Sequence, residues 1–195
     1  NKDSHKELPI LPHDMSRLLE IELPPFEAAV GAGVAAVMTA HVIYTPVDEY
    51  PATLSHTIID GILRQRFNYD GYVMSDDMQM KAIADHYGFD DAIVLAINAG
   101  VDLLWICHTP ELQERAITAI ISAVEEKKIA VGRLERSSRR FDALAQKFVR
   151  PAVAGLLDMI GSPEHRAVVE QILARADADQ GAQDPTAKFV SQQKT

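Results

Sequence analysis

The sequence predicts an α/β fold built on parallel strands, and three observations predict it. Three short apolar runs, residues 33–41, 71–75 and 100–108, each begin at a glycine and close on polar residues. They are rich in Val, Ile and Leu and nearly uninterrupted, as strands buried on both faces are. Helix-like stretches lie between them, and such alternation implies parallel strands with right-handed crossovers.

The elements follow in order. After the first run, Ser55 is placed to cap a helix whose apolar stripe is Ile58, Ile59, Ile62, Leu63 and Phe67. The second run ends at Ser75 and leads directly into Asp76 and Asp77, with a helix expected over residues 78–84. Asp90 and Asp91 sit where acids favour a helix start, and that helix runs through residues 92–98 to a stop at Gly100. Beyond the third run, Thr109, Pro110 and Glu111 combine a capping hydroxyl, a first-turn proline and an acid. Leu112, Ala116, Ile120 and Val124 then recur every four residues, and Lys127 and Lys128 close the helix where cations suit its dipole. Residues 133–148 read as helix, as do 152–160 and 163–176. Residues 177–195 are polar and read as an extended or disordered tail.

Three strands make a poor parallel sheet alone. A closed barrel needs about eight and an open doubly wound sheet about five or six. On either plan the sequence reads as incomplete on its N-terminal side. The expected division is a partial α/β domain over 1–150, a helical extension over 151–176 and a tail over 177–195.

Composition narrows the partners. The chain has 195 residues, 47% hydrophobic and 24% charged, with a net charge of −9. That charge argues against nucleic acid or an anionic membrane. Cys107 is the single cysteine, which leaves no internal disulfide and no cysteine-based zinc cluster. No apolar run approaches the roughly 18–20 residues of a membrane span. The chain opens at Asn1 without an initiating Met or a signal-peptide core, so it reads as an internal or processed piece.

Asp76 and Asp77 are the first candidates for chemistry. Strand C-terminal ends carry the active sites of α/β folds, because loops vary there over a rigid base. A carboxylate there can be nucleophile, acid or base, or metal ligand. For Asp76 catalytic and structural roles stand level, whereas Asp77 reads first as a helix cap. Asp3 and His5 form a second candidate, in which a carboxylate two residues from an imidazole could tune it for proton transfer. His41 and His108 lie just past apolar runs, where a histidine either contacts ligand or caps the sheet. His13, His56, His86 and His165 read as surface residues. No set has convincing metal spacing. Neither a Gly-rich phosphate loop nor a G-x-S-x-G elbow is present. A receiver-like phosphoacceptor site at Asp76 and Asp77 would need further acids and a late lysine that the pattern lacks.

Several motifs in order resemble one family. They are Leu23 to Phe26, Met38 to Val42, Pro51 to Ser55, Gly61 to Arg64, Phe67 to Ile83 with Ser75, Asp76 and Asp77 at its centre, and Ala99 to Leu104. Together they resemble glycoside hydrolase family 3, in its bacterial β-N-acetylglucosaminidase branch. The likeness covers residues 3–150 and continues more weakly through Gly161 to Arg166.

The resemblance implies a TIM-like (β/α)8 barrel, of which this chain would hold the C-terminal part, about three β/α units, followed by extra C-terminal helices. It implies retaining hydrolysis of N-acetyl-β-glucosaminides, with Asp76 as nucleophile, His5 as general acid/base and Asp3 as its dyad partner. His41 is expected near substrate. The implied partner is an N-acetylglucosamine-containing saccharide, with no metal or cofactor. Strands one to five would be absent, so the chain alone is expected to be inactive, and pairing with the missing half or with a second copy is a further expectation. The branch suggests cell-wall sugar recycling in the cytoplasm, with a periplasmic or secreted setting as the other choice. A non-catalytic half-barrel that binds a partner is the alternative reading.

Overall fold

The computed structural model describes residues 7–150 and 159–178. The chain divides into two compact units, Asn1–Val149 and Arg150–Thr195. The first unit opens with β1 (Ile10–Leu11), the single turn α1 (Met15–Arg17), a wide turn Leu18–Glu22 and α2 (Pro24–Gly31). β2 (Ala36–Met38), β3 (Ile43–Tyr44), a short 3-10 turn Ala52–Leu54 and a wide helix Thr57–Arg66 follow. Then come β4 (Tyr72–Asp77), α3 (Lys81–Ala84), α4 (Phe89–Ala99), β5 (Leu103–Trp105), α5 (Pro110–Glu125) and α6 (Val131–Phe148). The second unit contributes α7 (Pro163–Ala178).

β2, β4 and β5 form a parallel sheet in that spatial order, with Ala36 opposite Tyr72 and Met38 opposite Met74. The parallel α/β expectation therefore holds, and β4 runs two residues further than the apolar run that marks it. Between β4 and β5 the register changes from Met74–Leu103 to Asp77–Trp105, a bulge on β4 that takes in Ser75 and Asp76. A second, two-stranded parallel sheet pairs β1 with β3. Strands of two residues carry no readable alternation, so the sequence pattern does not reveal them.

The helix layer buries one side of the sheet. Val73, Ile83 and Ile93 are fully buried, and Ile59, Val101 and Ile129 nearly so. Truncating one such side chain to Ala costs about 2–5 kcal/mol. Ser55 caps the helix it was expected to cap: its Oγ accepts from Ile58 N at 3.0 Å and donates to Asp48 Oδ2 at 2.6 Å. That helix is wider than an α-helix, since its last turn closes with Phe67 N on Ile62 O, five residues back. Gly100 ends α4 at φ +124°, and a Cβ there would stand 2.7 Å from Ile59 Cγ2. Only glycine meets both demands.

Three local expectations change. The helix expected over 78–84 is the single turn α3, because Met80 is extended (φ −63°, ψ 143°) and Asp77 Oδ1 accepts from Gln79 N at 3.1 Å. The Thr109 hydroxyl does not cap α5; it accepts from Gln79 Nε2 at 2.7 Å instead. α7 reaches Ala178, inside the stretch read as tail. Residues 152–158 of the expected helix and 179–195 of the tail lie outside the described residues.

Asp102, just before β5, anchors the base of the sheet. Its carboxylate is fully buried. Oδ2 accepts from Arg64 Nη2 (2.7 Å) and Val73 N (3.1 Å). Oδ1 accepts from Ser137 Oγ (2.7 Å), Arg133 Nη1 (3.2 Å) and Arg140 Nη1 (3.4 Å). Arg64 and Arg133 also donate to the carbonyls of Tyr69, Gly71, Ile97 and Val101. One acid thus ties the wide helix and α6 to the entry of β4 and β5.

Candidate active site

The C-terminal ends of β2, β4 and β5 bring Asp76, Asp77, His41 and His108 to one rim. Asp76 lies in the β4 bulge, a device that re-aims a side chain where ladder pairing would fix it. It is half-buried, and its Oδ1 accepts from Asp77 N at 2.8 Å. Its Oδ2 has no hydrogen bond to the described residues. The bulge is pinned on both sides by Trp105, whose N–H donates to Ser75 Oγ (3.0 Å) and whose carbonyl accepts from Met78 N (2.9 Å). One carboxylate oxygen is thus steadied, and the other is unbonded among the described residues.

Asp77 is engaged differently. Besides Gln79 N, its Oδ1 accepts from Cys107 N at 3.3 Å, and its Oδ2 lies 3.2 Å from His108 Nε2. Its side chain is only 14% exposed. Gln79 continues the seam: its Oε1 accepts from His108 N (2.8 Å) and Thr109 N (3.2 Å). Asp77 and Gln79 together bind the loop after β5 to the loop after β4. That leaves Asp76 as the less committed carboxylate of the pair. Burial and the neighbouring Asp77 carboxylate push the Cys107 thiol up, so it is a poor nucleophile at neutral pH.

His41 is fully buried. Its Nε2 lies 3.0 Å from the Asp77 carbonyl, which can only accept, so Nε2 carries the proton. Nδ1 then accepts from Thr53 Oγ1 at 2.9 Å, and Thr53 in turn accepts from Thr39 Oγ1 at 2.9 Å. Burial lowers the His41 pKa from its ordinary 6.5, against smaller raising effects of the Asp77 carbonyl and the Asp76 and Asp77 charges. The ring is neutral, with both nitrogens committed to protein. His41, expected near substrate, is thus placed with both ring nitrogens on protein partners, where it holds the strand end that carries Asp76.

Asp3 and His5 lie outside the described residues. Among the described residues, no group of three or more His, Cys, Asp or Glu is placed to hold a metal ion. Their helices include none long and apolar enough to cross a membrane. His13, read as a surface residue, is partly buried and lies 3.5 Å from Glu22 Oε1. Gln79 lies within the Phe67 to Ile83 motif, yet spacing does not predict its role, because a glutamine's partners depend on loop geometry.

Residues 1–144 match the family model described as glycosyl hydrolase family 3 N terminal domain. The chain belongs to that family. Over 180 residues it is 32% identical to a beta-hexosaminidase of Methylococcus capsulatus, covering 91% of this chain and 50% of the relative. Over 118 residues it is 37% identical to a beta-hexosaminidase of Thiobacillus denitrificans, covering 60% and 33%. Among solved structures it resembles a glycoside hydrolase family 3 beta-N-acetylglucosaminidase from Paenibacillus sp., with TM-score 0.73 and 41% identity over 79% of this chain and 31% of that one. It also resembles CbsA from Thermotoga neapolitana, with TM-score 0.75 and 32% identity over 82% and 37%. This family 3 chain therefore spans a third to a half of the length of these relatives.

Proposed function

We propose that the chain carries the nucleophile of a retaining β-N-acetylhexosaminidase acting on terminal N-acetyl-β-glucosaminide bonds. The observation that carries this reading is Asp76, presented at the end of β4 with one oxygen steadied by Asp77 N and the other unbonded among the described residues. Its place in a family 3 chain whose relatives are named beta-hexosaminidases supports the substrate class.

In the proposed mechanism Asp76 attacks the anomeric carbon and forms a covalent glycosyl-enzyme. His5 protonates the departing oxygen, then takes a proton from the incoming water, which displaces Asp76. Two inversions at one carbon retain its configuration. Asp3 holds the imidazole and favours its protonated form. The scheme uses no metal or organic cofactor.

We read β2, β4 and β5 as strands six to eight of an eight-stranded barrel, with 151–176 a helical extension and 177–195 a polar tail. Most sugar-gripping groups would then lie on the first five strands, and the 195-residue chain alone would not hydrolyse substrate. The reading extends to cell-wall sugar recycling, and the single free thiol, Cys107, fits a reducing, cytoplasmic setting. Turnover of an aryl N-acetyl-β-glucosaminide by the pure chain would overturn the half-barrel reading. In a chain extended upstream by the remaining barrel sequence, Asp76→Ala should abolish turnover and leave folding largely intact. Wild-type activity in that variant removes Asp76 from its role.

One observation favours the second reading, a half-barrel that pairs with a partner or a copy of itself. Met38 is 50% and Trp105 43% exposed on the two outer strands of the sheet. Exposed edge strands of this kind invite pairing. Size-exclusion chromatography of the chain alone distinguishes this: a monomer at all concentrations counts against it.

A further inference from the structure

Beneath the β2–β4 pair, at the opposite end of the strands from Asp76, lies a cavity of about 290 Å3. Its walls include Ala35 and Tyr72, joined by the main-chain bond from Tyr72 N to Ala35 O at 3.1 Å, and Arg140, Lys147 and Phe148 of α6. It therefore sits under paired strands rather than along an open edge. Arg140 and Lys147 are two helical turns apart, so both side chains leave one face of α6.

Positive charge is in surplus there. Arg64, Arg133 and Arg140 share the single buried carboxylate of Asp102. Arg140 Nε also reaches Asp70 Oδ1 at 3.0 Å, but that carboxylate is 90% exposed, and an ion pair so open is weak. Lys147 Nζ stands 5.2 Å over the Phe148 ring, and among the described residues no carboxylate pairs with it. Burial, and next the Arg140 charge, hold the Arg64 guanidinium below its ordinary pKa. Burial does the same at Arg133, where Asp102 opposes it and the charges of Arg140 and Arg136 add to it. The guanidiniums thus crowd one another in a chain whose net charge is −9. An anion in the cavity would relieve that crowding. A guanidinium fork and an ammonium suit the oxygens of a phosphate. The cavity is larger than a bare phosphate fills, and the half-exposed ring of Phe148 lines it beside the two cations.

We propose that this cavity binds a small ring-bearing phosphate monoester, with Arg140 and Lys147 on the phosphate and Phe148 against the ring. Asp70 holds the Arg140 fork until the ligand displaces it. The site is formed by this chain alone and does not depend on the role given to Asp76.

The test uses the 195-residue chain at constant ionic strength. Amide NMR shifts of residues 68–72 and 140–148 are followed through titrations with inorganic phosphate, phenyl phosphate and phenol. Saturable shifts are expected with both phosphates, tighter with phenyl phosphate, and none with phenol. Lys147→Gln lies outside the Asp102 cluster and should weaken phenyl phosphate by about three- to tenfold, with thermal unfolding unchanged. Arg140→Gln should weaken it at least as much. Asp70→Asn should tighten it by about two- to fivefold, because the competing carboxylate is gone. No saturable shift with either phosphate, or a Lys147→Gln variant that binds as the parent does, overturns the site. Equal affinity for the two phosphates overturns the ring-bearing class of ligand.

Discussion

His41 Nε2 donates to the main-chain carbonyl of Asp77 at 3.0 Å, so a buried imidazole on the segment after β2 fixes the end of β4. Nε2 must carry a proton, because the carbonyl has none to give. With the ring kept neutral by burial, Nδ1 accepts from Thr53, which accepts from Thr39.

His41→Ala should therefore destabilise the fold by about 2–4 kcal/mol, since it opens a cavity and leaves the Asp77 carbonyl and Thr53 hydroxyl unpaired. Urea unfolding measures it. A loss below about 0.5 kcal/mol would show that neither bond matters.

The same ring sets a pH dependence. Its pKa is lower folded than the ordinary 6.5, so below 6.5 the unfolded chain binds the proton more readily. The contribution of His41 is complete above that value and is lost as pH falls toward the folded pKa. Between pH 7.5 and 5 the parent should lose stability that His41→Gln does not lose. Parallel profiles for the two proteins would contradict a neutral buried ring.

Asp102→Asn removes the charge that offsets Arg64, Arg133 and Arg140. Breaking a buried ionic cluster from one side costs about 3–5 kcal/mol. Thermal unfolding should show Asp102→Asn well below Arg140→Gln, whose guanidinium is part-exposed and makes the longest contact, 3.4 Å.

Gly100→Ala should cost about 1–3 kcal/mol, because φ +124° strains any Cβ. Ile59→Ala removes the crowding Cγ2, and measured against that variant alone Gly100→Ala should still cost about as much. Loss of the cost in the Ile59→Ala background would show that close approach, not backbone strain, decides the position.

Gln79→Ala should speed hydrogen exchange at the His108 and Thr109 amides by about fivefold, the effect of losing ~1 kcal/mol of local protection. Exchange in α4 should stay unchanged. Equal acceleration in both places would mean global rather than local loosening.

The periodic parts of this molecule were legible. Ile59, Ile62, Leu63 and Phe67 form the stripe that their spacing implies, and Gly100 stops α4 where its type suggests. Asp76 could be placed at a strand end, since a short apolar run stopping at two acids is a local signal. What spacing could not reveal depends on partners far away in the chain. Asp102 meets Arg140 across 38 positions, and His41 meets Asp77 across 36. Local capping, the common case, predicts that the hydroxyl of Thr109 serves its own helix; Gln79, thirty residues earlier, claims it instead.

The Asp102 cluster is lopsided in a way that bears on how such a sequence can drift. Three cations share one acid, so the carboxylate keeps two others when Arg140 is replaced. The acid has no understudy. Arg64 and Arg133 are less free to change, because each also holds two main-chain carbonyls. Replacement of Asp102 has to wait until most of its arginines are already gone.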